Sequence, residues 1–230
     1  MLTAADIMTT HVISVTPETS VSDIAKLLYK KRISGVPVVD PQKHVIGIVS
    51  EGDLIGHTGA IGEQRRSWWL TLFGGTRTFA HDYAKAHGRM ARDVMTSDVI
   101  TVSTTTSLAE IAKTLERHRI KRVPVVRNRK LVGIVARSNL LRVLATADVS
   151  KPANLNDRTI RDRLLAELEA QPWAHLLTTN IVVQDGIVHL WGFVETEEER
   201  HALRVAAENS PGVTGVEDHL TQYPAGLGMA

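Results

Sequence analysis

Two amphipathic stripes and a set of short apolar runs organise the first two thirds of the chain, and the same series occurs twice. Behind Ser20, apolar side chains fall at Val21, Ile24, Ala25 and Leu28; behind Ser107 they fall at Leu108, Ile111, Ala112 and Leu115. That spacing lays one apolar face along a helix. Ser20 with Asp23, and Ser107 with Glu110, read as capping boxes that open these helices. Val36-Pro37-Val38-Val39 and Val123-Pro124-Val125-Val126 then read as strands, followed by the runs Val45 to Val49 and Gly133-Ile134-Val135. Each of these last strands breaks at a polar corner into a further helix, so each copy reads strand, helix, strand, strand, helix.

The repeat extends beyond the periodic segments. Asp6-Ile7-Met8-Thr9 returns as Asp93-Val94-Met95-Thr96, and Val12-Ile13-Ser14-Val15 returns as Val99-Ile100-Thr101-Val102. A unit of this size cannot bury both faces of its sheet, so two copies are expected to pack together.

One corner stands out chemically. Ser50 and Asp53 sit where the run Val45 to Val49 turns into a helix. A hydroxyl and a carboxylate three residues apart can both face a ligand there, beside helix N–H groups suited to an anion. The pair suits the two hydroxyls of a ribose. The same spacing is also an ordinary capping box.

Two copies of Asp-h-Met-Thr, a capped helix, h-Pro-Val-Val and Gly-Ile-Val-x-x-x-Asp/Asn (h apolar) resemble a tandem pair of CBS domains, a Bateman module, over residues 1–147. The resemblance implies binding of an adenine nucleotide (AMP, ADP or ATP, with NAD or S-adenosylmethionine in some relatives) between the copies, without catalysis. It assigns Ser50 and Asp53 to the ribose, and Lys121 and Arg122 to phosphate through charge-assisted hydrogen bonds. Met95, Asp98 and Ile100 fall where the family lines the adenine and ribose, and Ile48 closes the apolar wall. A weaker second site would use Met8, His11, Ile13, Ser34, Gly35 and Asn139. Its ribose corner is Ala136 and Asn139, without hydroxyl or carboxylate, and Ser34-Gly35 carries no charge. By themselves, Lys121 and Arg122 also read as part of a solvated basic run. Modules of this kind commonly associate in twos, so a homodimer is expected.

Residues 57–90 match neither copy. Gly56, Gly59 and Gly62 punctuate them, and Arg65-Arg66-Ser67-Trp68-Trp69-Leu70-Thr71-Leu72-Phe73 is basic at one end and apolar at the other. This reads as a helix packed on the module or in a dimer interface; the alternative is an interfacial anchor with tryptophan at headgroup depth. His81, Asp82 and His87 do not have the spacing of a recognised metal site.

After a turn-rich linker, Asp157 is a candidate N-cap for a helix carrying Ile160, Leu164, Leu165 and Leu168. Strands Thr178 to Val183 and Ile187 to Phe193 are joined by Asp185-Gly186, a strong hairpin signal. Thr196-x-x-Glu199 caps a second helix with Leu203, Ala206 and Ala207, and Gly212 and Val213-x-x-Val216 lead into a last strand. Helix, strand, strand, helix, strand, with Gly186-x-Val188-x-Leu190-x-Gly192-x-Val194, resembles the BON domain, named from bacterial osmotic-shock and nodulation proteins. That resemblance implies phospholipid binding or assembly with a protein partner. The acidic run Glu195, Glu197, Glu198 and Glu199 is ill suited to an anionic lipid face.

Composition narrows the function. The chain has 230 residues, no cysteine and a net charge of +2. Disulfides and thiol chemistry are excluded, and so small a charge argues against a nucleic-acid partner. No phosphate loop, paired His-Glu helix or nucleophile elbow occurs. No enzyme activity, metal site or tightly bound cofactor is expected. No signal-peptide pattern opens the sequence and no apolar run reaches the about 20 residues of a membrane span, so a cytoplasmic location is expected, with the inner-membrane periphery as the alternative.

The fold expected is mixed α/β (α+β): two βαββα CBS repeats packed as a pseudo-two-fold pair plus a small αββαβ BON domain. The expected boundaries are 1–57 and 91–147 for the repeats and 58–90 for an inserted linker with a Trp-rich helix. A second linker is expected at 148–156, the BON domain at 157–222 and a tail at 223–230. The function expected is a non-catalytic adenine-nucleotide sensor signalling through the BON domain. The alternative is a membrane-surface or envelope assembly adaptor, with the CBS pair as a dimerisation scaffold and Trp68 and Trp69 docking to lipid or protein.

Overall fold

The computed structural model describes residues 2–57, 88–146 and 155–222. Trp68, Trp69, His81, Asp82 and His87, with the helix expected around the tryptophans, lie outside the described residues. The protein is a mixed α/β fold, and the chain divides into two compact units.

One unit comprises Ile13–Ile100 and Asn128–Leu131. Helix α2 (Val21–Lys31) opens as the Ser20 pattern predicts: the hydroxyl accepts from the Asp23 N–H at 3.0 Å and donates to the Asp23 carboxylate at 2.7 Å. It closes at Arg32, whose left-handed backbone (φ 51°) turns the chain into β1 (Gly35–Val39). Strand β1 pairs antiparallel with β2 (Val45–Ser50), and α3 (Glu51–His57) follows directly. Pro37 is tolerated inside β1 because its neighbour Val15 bonds the Pro37 carbonyl and the Val39 N–H, bypassing the missing donor. The strand expected around Val15 is reduced to this one bridge. Ile24, Leu28, Val36, Val38, Val49 and Leu54 form the core, together with Ala91 and Val94 from the one-turn helix α4 (Ala91–Val94).

The other unit comprises Met1–Val12, Thr101–Arg127 and Val132–Ala230. It holds a second one-turn helix, α1 (Ala4–Ile7), and strand β3 (Val102–Ser103). Helix α5 (Leu108–Arg117), strands β4 (Arg122–Arg127) and β5 (Lys130–Ala136), and helix α6 (Arg137–Thr146) complete the second copy. The sheet runs β3-β4-β5, with β3 parallel to β4. Ile7, Ile111, Leu115, Val123, Val125, Val135 and Val143 are buried.

Space and sequence order therefore part company at the Asp-h-Met-Thr motifs. Thr9 bridges Ile134, and Thr96 bridges Ile48, so each motif pairs with the Gly-Ile strand of the other copy. Within the motif each residue has a distinct job. Asp6 accepts from the Thr3 N–H at 2.7 Å and Asp93 from the Met90 N–H at 3.1 Å, capping α1 and α4. Met8 lies against Gly133 and Met95 against Gly47, where a Cβ would come within 2.3 Å of each sulfur.

The C-terminal part has helix α7 (Leu155–Glu169), strands β6 (Thr179–Gln184) and β7 (Ile187–Val194), helix α8 (Glu197–Asn209) and strand β8 (Gly215–Gln222). The sheet order is β6-β7-β8, with the hairpin antiparallel and β7 parallel to β8. Asp185 and Gly186 take positive φ (53° and 78°), as the hairpin reading requires. Ile160, Leu164, Leu168, Ile181, Val183, Val188, Leu190, Leu203 and Leu220 close the core between sheet and helices. Asp157 is not the N-cap of α7. It lies inside the first turn, and its carboxylate accepts the hairpin N–H groups of Asp185 (3.0 Å) and Gly186 (2.9 Å). Among the described residues no helix is long and apolar enough to cross a membrane.

Candidate functional site

The corner between β2 and α3 is built by local geometry. Ser50 ends the strand opposite Gly35, where an added Cβ would meet the Val49 carbonyl at 3.0 Å and the Ser50 Cβ at 3.3 Å. The Ser50 N–H and hydroxyl both donate to Asp53 Oδ2, at 2.9 and 2.7 Å. The capping geometry thus holds hydroxyl and carboxylate together as one polar group, and both residues remain partly exposed. Beside them, Ile48 exchanges two backbone hydrogen bonds with Thr96, at 2.9 and 3.0 Å, which fixes Met95 over Gly47. Six residues of the first candidate set, Ile48, Ser50, Asp53, Met95, Asp98 and Ile100, fall in this one unit. Lys121 and Arg122 belong to the other unit, at the entry to β4, where the Lys121 carbonyl accepts from the Arg137 N–H at 3.1 Å.

The matching corner of the second copy keeps the backbone bond and changes its purpose. The Ala136 N–H donates to Asn139 Oδ1 at 2.8 Å, as Ser50 does to Asp53. The other end of the Asn139 amide donates to the Ile7 carbonyl at 3.0 Å, and the side chain is buried. Asn139 therefore ties α6 to the last residue of α1. Of the second candidate set, Met8, His11 and Asn139 lie in this unit, whereas Ile13, Ser34 and Gly35 lie in the other.

Sequence reasoning missed the side chains that join the C-terminal part to the second copy. Arg161, on α7, is 4% exposed, and its guanidinium donates to the carbonyls of Ile181 (2.8 Å), Ala5 (2.9 Å) and Met8 (2.7 Å). Burial pulls its pKa down to about 10, and Asp162 and Asp6 oppose that pull. Arg158 grips Asp6 with two nitrogens, Nη2 reaching Oδ2 at 2.9 Å, and this hydrogen bond raises the Arg158 pKa. Asn180, from β6, also donates to the Ile7 carbonyl, at 3.3 Å. The only sequence signal was an arginine pair spaced along one helix, which reads as a solvated face.

Comparison with known proteins agrees with this architecture. A CBS domain model matches residues 4–58 and 91–146, and a BON domain model matches 156–224. The CBS domain-containing protein CBSX2, chloroplastic, of Arabidopsis thaliana is 31% identical over 154 residues, covering 61% of this chain and 62% of its own. CBSX1, chloroplastic, of the same plant is 33% identical over 138 residues, covering 56% and 57%. The chain thus spans about three fifths of the length of these curated relatives. The crystal structure of CBSX2 in complex with AMP superposes with a TM-score of 0.56 at 31% identity, covering 64% of this chain and 99% of that one. The chain belongs to the CBS-domain family, as a tandem CBS pair followed by a BON domain.

Proposed function

We propose that this protein is a non-catalytic sensor of an adenine nucleotide, with Ser50 and Asp53 as the ribose-binding pair and the BON domain as the element that passes the state on. The observation that carries the reading is the asymmetry of the two corners. One presents a hydroxyl and a carboxylate held 2.7 Å apart. The other offers alanine and an asparagine whose amide is already used at both ends. The AMP complex of CBSX2 supports the ligand class. Ile48, Met95 and Ile100 supply apolar contact for the base, Asp98 a further polar contact, and Lys121 and Arg122 read the phosphates.

The regulatory step is a population shift, so the nucleotide must favour one arrangement of the chain over another. The route to the BON domain is the segment around α1, which carries Met8 and leads to His11. Arg158 and Arg161 hold that segment from α7. The protein acts as a homodimer in this reading, and a lipid or protein partner engages the BON domain.

Calorimetric titration of the full chain with AMP, ADP, ATP, NAD and S-adenosylmethionine tests the proposal. One site per chain is expected, lost in Asp53→Ala, with Lys121→Ala and Arg122→Ala weakening ATP more than AMP. Hydrogen exchange in α7 should change when the nucleotide is added. Absence of heat from every ligand, or full binding by Asp53→Ala, defeats the sensor reading.

A further inference from the structure

The face of the BON sheet turned away from α7 and α8 carries buried polar atoms that the nucleotide reading does not use. Among the described residues, five buried side-chain atoms lack a hydrogen-bond partner, and four of them lie here: Asn180 Oδ1, His189 Nδ1, Trp191 Nε1 and His219 Nε2. Buried polar groups are nearly always satisfied, so the two imidazole nitrogens among them point to a ligand that completes both.

The parallel pairing of β7 with β8 places His189 beside Glu217 and Trp191 beside His219. His189 is 4% exposed. Its Nδ1 lies 3.1 Å from Glu217 Oε2, yet not aligned as a hydrogen bond, and His219 Nε2 lies 3.4 Å from the same oxygen. All three ligand atoms fall within 4.8 Å of one another. Two ligands bound to one tetrahedral zinc at the usual bond lengths stand about 3.3 Å apart, close to both nitrogen-to-oxygen distances. The His219 ring is held by stacking on Trp191, with centroids 4.0 Å apart and planes 15° from parallel.

From this geometry we infer that His189, Glu217 and His219 form a binding site for a divalent transition-metal ion, zinc by preference. Two imidazoles and one carboxylate are a borderline donor set that suits zinc over calcium or magnesium. Three protein ligands leave a fourth position for water. The ion would clamp the last strand of the sheet to its neighbour. No sequence motif announces the site, because its ligands come from two strands that meet only across the α8 crossover. The inference stands independently of the nucleotide reading.

The test uses untagged full-length protein, stripped with chelator and titrated with zinc against a chromophoric chelator, and with cobalt followed by its visible d–d absorption. One ion per chain is expected. His219→Ala at a partly exposed position and Glu217→Gln at an exposed one should each weaken binding by more than about tenfold while keeping the wild-type far-ultraviolet spectrum. A His81→Ala/His87→Ala double variant should bind as wild type. The assignment is overturned if the folded wild type takes up no zinc, if His219→Ala and Glu217→Gln both bind undiminished, or if the His81/His87 variant alone loses the ion.

Discussion

The Arg161 guanidinium donates to the Met8 carbonyl across 2.7 Å, from a BON helix to the segment that closes the second CBS copy. Its other nitrogens reach Ala5 and Ile181, so one side chain satisfies carbonyls on two separate pieces of backbone. These three bonds make a buried polar link between the two sequence domains. Helix α7 is thereby bonded directly to the segment around α1.

Arg161→Ala should destabilise the chain by about 3 kcal/mol, since it strands three carbonyls that were bound to a charged donor, two of them in buried bonds. Arg161→Lys should rescue little, because an ammonium lacks the planar fork that serves three carbonyls at once. Urea denaturation of both variants checks this. A loss below 1 kcal/mol for Arg161→Ala would show that water replaces the guanidinium without strain.

The elements of the repeats and of the BON hairpin were legible because their signals are local. Ser20 with Asp23, the Val-Pro-Val strands and Asp185-Gly186 each act within a few residues, and the structure shows each in place. Ser50 with Asp53 was legible for the same reason. The exchange of Asp-h-Met-Thr motifs between copies was not, because the repeat makes Gly47 and Gly133 chemically equivalent partners for Met8 or Met95. Asn139 read as half a ribose site, since nothing near it in sequence reveals the Ile7 carbonyl that occupies its amide. The grip of Arg158 on Asp6 spans 152 residues and leaves no periodic trace.

Asp6 and Arg158 should be coupled by about 1 kcal/mol in a double-mutant cycle of Asp6→Asn and Arg158→Gln. The bond is bidentate, but the Arg158 side chain is 39% exposed, which screens the attraction. Asp6→Asn alone should cost more than Arg158→Gln alone, because Asp6 also caps α1 through the Thr3 N–H. Chemical denaturation of the four chains at moderate salt reads out the coupling, and additive effects would mean the pair is energetically silent.

Gly47→Ala should destabilise the first-copy unit by about 1–3 kcal/mol through overpacking. The new methyl would stand 2.3 Å from the Met95 sulfur and 3.1 Å from its Cβ, so rotating the end of the side chain relieves only part of the clash. Gly47→Ala/Met95→Ala should recover part of the loss in thermal melts. Recovery of nothing would place the strain in the backbone pairing of Ile48 with Thr96.

Gly192→Ala should be the most damaging single methyl in the BON sheet. Gly192 has φ 126°, a backbone conformation that side chains rarely adopt, and an added Cβ would lie 2.0 Å from the Thr178 carbonyl oxygen. That carbonyl already accepts from the Phe193 N–H at 3.2 Å, so it cannot retreat without opening the start of the β6–β7 pairing. Strain and lost pairing together should exceed about 3 kcal/mol. Because Arg161 and Asn180 join this sheet to the segment around α1, the loss should also appear in the second CBS copy. Hydrogen exchange on Gly192→Ala checks both expectations: amides of β6 and β7 should lose protection, and so should those of α1 and Thr9. Lost protection confined to the BON strands would mean that the arginine contacts do not couple the two stabilities.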